Sequence, residues 1–227
     1  KDSLGNWVNP PYNVAKWNGQ GWELFTTSDI GYGYGELYCV FAFGPNDIWV
    51  GSSIPEHWDG QRWKFHGSTR GYQGGFRIRK IWGTSSRDLY VVGDGGNIRY
   101  FNGVSWRRLE SGTDLDVYDI YGDKNLKTGE TEIYAVAAKQ YVTFDKIIFR
   151  IDGIKVTAIS IEGIPYNIHG IWFKAGVEYY VVGSGMYHKR NPMQPGPWKG
   201  IPASVTQYGI YKIKGNNIND IFACGSF

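Results

Sequence analysis

Three observations predict an all-β chain built from one repeated four-stranded unit. Aromatic residues make up 17% of the 227 positions, with 10 Trp and 17 Tyr beside 32 Gly; aromatic and β-branched side chains suit pleated strands, and Gly suits tight turns. An acidic residue leading into an apolar strand recurs at positions 47, 88, 132, 178 and 220, spacings of 41 to 46 residues. An aromatic-(Asp/Asn)-Gly hairpin follows in the better-kept copies. A period of that length is one of stacked four-stranded blades, so the expected fold is a five-bladed β-propeller with no helix.

The first element of each repeat is clearest in Asp47-Ile48-Trp49-Val50-Gly51, Asp88-Leu89-Tyr90-Val91-Val92-Gly93 and Asp220-Ile221-Phe222-Ala223-Cys224-Gly225. Weaker copies start at Glu132 and Glu178. The second element is clearest in Trp58-Asp59-Gly60-Gln61-Arg62-Trp63 and Phe101-Asn102-Gly103-Val104-Ser105-Trp106, where Asp-Gly or Asn-Gly supplies the positive φ of a short hairpin turn. In the third repeat Ile151-Asp152-Gly153 leads to Val156 without the closing Trp, and in the fourth a Pro-rich turn precedes Trp198.

One copy is displaced. Trp17-Asn18-Gly19-Gln20-Gly21-Trp22 stands without a first element before it, and the final first element, through Phe227, has no hairpin after it. Together they make one blade, two inner strands from the C-terminal part and two outer strands from the N-terminal part, which removes an open sheet edge. The expected blades span 37–67, 76–110, 117–161, 168–201, and 208–227 with 12–26, in a single domain over 1–227; residues 1–11 form a lead-in strap, and 124–131 is an insertion in the third blade.

These repeats resemble the secreted or envelope-associated bacterial propellers that carry an Asn-Asp-Ile-Trp…Trp-Asp-Gly…Trp pattern, here in Asp47-Ile48-Trp49 and Trp58-Asp59-Gly60 through Trp63. The blade number is that of five-bladed lectins such as tachylectin, whose own signature is absent. The resemblance implies a secreted, periplasmic or cell-surface protein, with Lys1 to Pro11 the tether of a lipoprotein anchored by a preceding Cys. It transfers no catalytic residue, since the architecture hosts many activities.

Charge and composition narrow the partners. With 24 basic and 21 acidic residues the net charge is +3, too small to mark a nucleic-acid binder. No apolar run approaches the roughly 20 residues of a spanning helix. Cys39 and Cys224 lie in apolar strands and are expected to be buried free thiols. His57, His66, His169 and His188 include no pair three or four apart, so no metal is expected, nor is any cofactor: phosphate loops, nucleophile elbows and dinucleotide fingerprints are absent.

The repeated acids recur at one structural position, which favours a turn-capping role through backbone amides over catalysis. Function is expected in the segments that join one blade to the next, on one face around the central channel. Tyr32, Tyr34, Tyr72 and Phe76 in Gly-rich stretches, with Arg77, Tyr166, His169 and Tyr208, form the candidate ligand site of a non-catalytic module. Aromatic faces beside flexible polar groups suit a glycan; the same face suits an envelope protein, since Tyr, Trp and Arg dominate binding hot spots. The basic run over residues 70–108 adds an acidic partner or anionic polysaccharide to that reading, against a solvated outer face. A third reading, a glycoside hydrolase, would rest on Asp29, Glu36, Asp114 and Asp116. A monomer is expected.

Overall fold

The computed structural model describes residues 4–6, 12–27, 36–139, 145–202 and 209–226. Among them the backbone forms twenty strands and no helix. A hairpin of β1 (Val14–Trp17) and β2 (Trp22–Phe25) comes first. Four antiparallel four-stranded sheets follow, each a meander in chain order. The first holds β3 (Cys39–Gly44), β4 (Asp47–Gly51), β5 (Pro55–Trp58) and β6 (Trp63–Phe65); the second β7 (Ile78–Ser85), β8 (Asp88–Gly93), β9 (Ile98–Phe101) and β10 (Trp106–Leu109). The third holds β11 (Asp116–Lys124), β12 (Thr131–Ala138), β13 (Lys146–Asp152) and β14 (Lys155–Ile159); the fourth β15 (Ile168–Lys174), β16 (Glu178–Gly183), β17 (Gly185–Lys189) and β18 (Lys199–Gly200). A last hairpin joins β19 (Ile210–Asn217) to β20 (Asp220–Gly225). Among the described residues, β1–β2 and β19–β20 are separate two-stranded sheets, and no ladder joins them into one blade.

The Asp/Asn-Gly turns form as their sequence dictates. Asn102 Oδ1 accepts from the amides of Val104 and Ser105 at 3.0 and 2.8 Å, and Asp59 Oδ1 from Gln61 and Arg62 at 3.0 and 2.9 Å. Asn18 does the same for Gln20 and Gly21 at 2.9 and 2.8 Å. Such an Asx cap fixes the turn, and the next residue, at φ 101°, 93° and 88° in Gly19, Gly60 and Gly103, sits where a side chain is strained.

The core is a series of interfaces between successive sheets. Trp49, Ile81, Leu89, Val91 and Trp106 fill the first; Tyr90, Val92, Ile120, Ala135 and Phe149 the second; Tyr134, Ile148, Ile171 and Phe173 the third; and Trp172, Val182 and Ile213 the fourth, against β19. Each such aliphatic or aromatic side chain is worth about 1.5–3 kcal/mol relative to exposure. A strand with a sheet on both sides buries both faces, which is why β8 reads as an unbroken apolar run after its Asp and buries every residue after it.

The recurrent acids hold side chains rather than backbone amides. Asp47 accepts from His57 Nε2 at 2.8 Å and from Ser86 Oγ, which itself receives Trp49 Nε1 at 2.7 Å. Glu178 meets His188 Nδ1 at 2.8 Å, Glu132 accepts from Asn125 Nδ2 and the Tyr179 hydroxyl at 2.7 and 2.5 Å, Asp88 from Thr84, and Asp220 from Asn216 Nδ2 at 2.7 Å. The acid therefore ties turn to strand, and in two cases sheet to sheet.

Both cysteines are free, but only Cys39 is partly covered, and burial pushes its thiol up to about 12. Cys224 is exposed, against expectation; among the described residues β20 pairs with β19 alone, in a two-stranded sheet that leaves most of the strand exposed.

Candidate functional site

The segments that join one sheet to the next run into the starts of the inner strands, and there the ladders share an irregularity. The register shifts between Ile78 and Lys80, Val117 and Asp119, Ile168 and Gly170, and Ile210 and Lys212. A bulge releases the extra residue from the ladder and re-aims its side chain. The released residues are Arg79, Tyr118, His169 and Tyr211, one from each of four successive inner strands.

These four side chains touch in sequence. The Arg79 guanidinium lies 4.4 Å from the Tyr118 ring centroid, Tyr118 and His169 meet edge to face at 4.7 Å, and His169 and Tyr211 are 6.0 Å apart. At the start of β3, where no such shift occurs, Tyr38 lies under Arg77 at 4.0 Å and donates its hydroxyl to Glu36 at 3.0 Å. A row of aromatic and cationic groups thus follows the inner strands along the junction face.

The row is held at one end and polar at the other. Arg79 is clamped by Asp94 and by Asp116, whose Oδ2 accepts at 2.9 Å while its Oδ1 takes the Gly95 amide at 3.0 Å. Burial pushes the His169 pKa down, helped by the charges of Arg79 and Lys212, so its imidazole is neutral near pH 7. Its Nδ1 is buried without a hydrogen-bond partner, and so is Asn167 Oδ1, although Asn167 Nδ2 donates to the Lys139 carbonyl at 2.9 Å. Leaving such groups unpaired costs about 1–3 kcal/mol each, and Tyr211 and Lys212 beside them are exposed. The arrangement presents ring faces, with one imidazole nitrogen and one amide oxygen buried beside them without partners.

The residues expected from sequence are divided by the structure. His169 is in the row and Arg77 stands at its edge, exposed over Tyr38. Tyr166 is 50% exposed on the same junction. Tyr72 and Phe76, expected as exposed platforms, are only 6% and 9% exposed and enclose the guanidinium of Arg99 at 4.2 and 4.9 Å, between the first and second sheets. That burial removes both rings from open solvent. Tyr32, Tyr34 and Tyr208 lie outside the described residues, as does Asp29. The basic run does not form one patch, since Arg99 is buried and Arg79 is clamped. Among the described residues no group of three or more His, Cys, Asp or Glu is placed to hold a metal.

Sequence reasoning passes over Arg79, Tyr118 and Tyr211 as a set. Their signal is present: Ile78-x-x-Ile81, Val117-x-x-Ile120, Ile168-x-x-Ile171 and Ile210-x-x-Ile213 each break strand alternation by one residue. A repeated break in period is the mark of a repeated bulge.

Successive four-stranded meanders packed face to face, with their inner strands side by side, define a β-propeller-type protein. No family model and no curated protein matches the sequence. Among solved structures, PorZ, described as an essential bacterial surface component of the type-IX secretion system of Porphyromonas gingivalis, superposes with a TM-score of 0.65 at 10% identity, over 92% of this chain and 35% of that one. YCF48 bound to D1 peptide gives 0.59 at 12% identity over 90% and 66% of the two chains. YCF48 from Cyanidioschyzon merolae gives 0.59 at 16% identity over 90% and 70%. The chain thus spans about a third of PorZ and about two thirds of YCF48, and at these identities the likeness concerns the fold.

Proposed function

We propose that this chain is a non-catalytic protein-binding module that accepts an extended peptide segment across the junction face, along the row from Tyr38 and Arg79 to Tyr211. The single observation that carries the reading is that row: four consecutive bulges aim one ring or guanidinium each to the same side, beside two buried polar atoms without partners. Aromatic and Arg side chains with unsatisfied polar groups suit a backbone that brings its own donors and acceptors. The likeness to a YCF48 structure solved with a peptide is in keeping with it. The scaffold in this reading is a five-bladed unit over 1–227, acting as a monomer outside the cytoplasm. The glycan reading loses support because two of its ring platforms, Tyr72 and Phe76, are buried.

The test is selection of a phage-displayed random-peptide library on the immobilised chain, followed by fluorescence anisotropy of the selected peptides. His169→Ala and Tyr211→Ala are each expected to weaken binding about tenfold, the scale of one hot-spot side chain. Lys127→Ala, on the far turn between β11 and β12, leaves it unchanged. Peptides that bind all four proteins equally would remove the row from the function.

A further inference from the structure

Arg99 on β9 is the only buried arginine among the described residues, at 5% exposure. The other partly covered arginines are answered by carboxylates: Arg79 meets Asp94 and Asp116, and Arg150 meets Asp152. Among the described residues Arg99 makes no ion pair. Its Nη2 donates to Gln73 O at 2.6 Å, and its Nε and Nη1 are buried without hydrogen-bond partners. A guanidinium keeps its charge at any ordinary pH, and a buried charge without a counter-charge is costly. The faces of Tyr72 and Phe76, at 4.2 and 4.9 Å, offset part of that cost but satisfy none of the N–H groups.

A second positive charge stands beside the first. Arg108 on β10 is directly opposite Arg99 in the ladder, exposed, and near enough for its charge to act on it. Like charges in facing positions destabilise a strand pair. The fold does not demand them: in the third sheet the same two positions, counted from the turn, hold Phe149 and Ala158, and Phe149 is 1% exposed. Trp106, whose Nε1 is also buried without a partner, lies on the same face of β10 as Arg108.

The cover over this pair is slight. Tyr72 and Phe76 are anchored on Ser53 O, by the tyrosine hydroxyl at 3.0 Å and the phenylalanine amide at 3.3 Å. Between them Gln73, Gly74 and Gly75 are exposed, and among the described residues their one hydrogen bond is that from Arg99 to Gln73 O. Gly74 has φ 67° and no atom within 4 Å of where a Cβ would stand. The strap of residues 73–75 therefore swings without displacing a packed side chain.

We propose that Arg99 and Arg108, beneath this strap, bind a free tetrahedral oxyanion of the phosphate or sulfate class, which replaces the Gln73 carbonyl as the strap lifts. The buried guanidinium supplies fixed donors through Nε and Nη1, and the exposed Arg108 closes from the solvent side. A dianion neutralises both charges and accepts from two strands at once, whereas a carboxylate answers one. The site lies on the outer strands of the second sheet, apart from the inner-strand row, so the anion site and the peptide site stand or fall separately.

The experiment titrates inorganic phosphate into the full chain at slightly alkaline pH and constant ionic strength in chloride, reading the line width of its phosphorus NMR signal. Saturable binding at about a millimolar or below is expected, displaced by sulfate and not by acetate. Arg99→Met is expected to weaken it about tenfold or more, and Arg108→Ala, which tests the site without touching the core, about threefold. Binding that survives in both variants, or no saturable binding, would overturn the site. Displacement by acetate would overturn the tetrahedral ligand. Phenyl phosphate, too bulky for the strap to cover, is expected to bind about tenfold more weakly; equal binding would overturn the free ion in favour of a phosphate ester. In chloride Arg99→Met is expected to melt no lower than wild type, since an unanswered buried charge gives way to an apolar stem. Phosphate should then raise the wild-type midpoint and leave that of the variant unmoved. Equal rises would mark general exclusion of the ion from protein surface and count against the site.

Discussion

His66 shows how a single side chain ties stability to pH. Its ring lies 4.7 Å from Trp49 and 5.3 Å from Phe101, and burial, aided by the charges of His57 and Lys64, lowers its pKa to about 4. In the unfolded chain it titrates near 6.5. Between those values the unfolded state holds a proton that the folded state does not, so stability is full above about pH 6.5 and falls as pH drops towards about 4, by about 3 kcal/mol at most. His169, also shifted down, acts in the same direction. The urea midpoint of the wild-type chain is expected to fall between pH 7 and pH 4.5, and to fall clearly less in His66→Gln; equal slopes would discount the burial. Tyr72 shows the limit of reading residues from composition. Its Gly-rich surroundings suggest an open loop, yet a Cβ on Gly71 would come 1.9 Å from the Trp106 carbonyl oxygen, and Trp106 N donates to Arg70 O at 2.8 Å. Here glycine marks close approach of two backbones, and the neighbouring ring is carried inward, where its hydroxyl donates to Ser53 O at 3.0 Å.

At the scale of the element, inner strands place glycine where the preceding sheet presents an indole. A Cβ on Gly122 of β11 would lie 2.3 Å from Cζ2 of Trp82 on β7, and one on Gly215 of β19 would lie 2.7 Å from Trp172 on β15. The sheets approach closely because this position has no side chain. Gly122→Val is expected to cost about 1–3 kcal/mol through overpacking against an indole that is itself only 7% exposed. Thermal melting should drop by several degrees, and Trp82→Leu added to Gly122→Val should recover part of the loss, a coupling that a double-mutant cycle measures. Strand positions were legible from the repeat because each first element is a local pattern with its acid at one end, and the Asp/Asn-Gly turns because Asx caps act within four residues. The bulges were not, since Ile78-x-x-Ile81 looks locally like a lapse in alternation; its meaning emerges only when four copies are compared. The partners of the acids were hidden for a related reason: His57 is ten residues from Asp47, and Ser86 belongs to the next sheet.

For the whole molecule, every cluster of buried side chains lies between two successive sheets, so stability is a chain of nearest-neighbour interfaces, as in repeat arrays. The repeat period therefore revealed the sheets, while the relation between the first and the last rests in the sequence on the displaced hairpin alone, since it would join residues nearly two hundred positions apart. Ile213, 7% exposed between the fourth sheet and β19, is the place to probe it. Ile213→Ala removes a buried side chain worth about 2–5 kcal/mol and loosens β19–β20 from its neighbours. In an open array the loss of protection against amide exchange should stop at the fourth sheet and β19–β20. In a closed one the first sheet is a neighbour too, and β3 and β4 lose support along with β19 and β20. Native-state hydrogen exchange is expected to show the amides of β3 and β4 speeding up together with those of β19 and β20, beyond the change in β12 that reports global stability. Exchange in β3 and β4 that follows β12 alone would make the first sheet a free end, because strands that share no interface with the perturbed one respond only through complete unfolding.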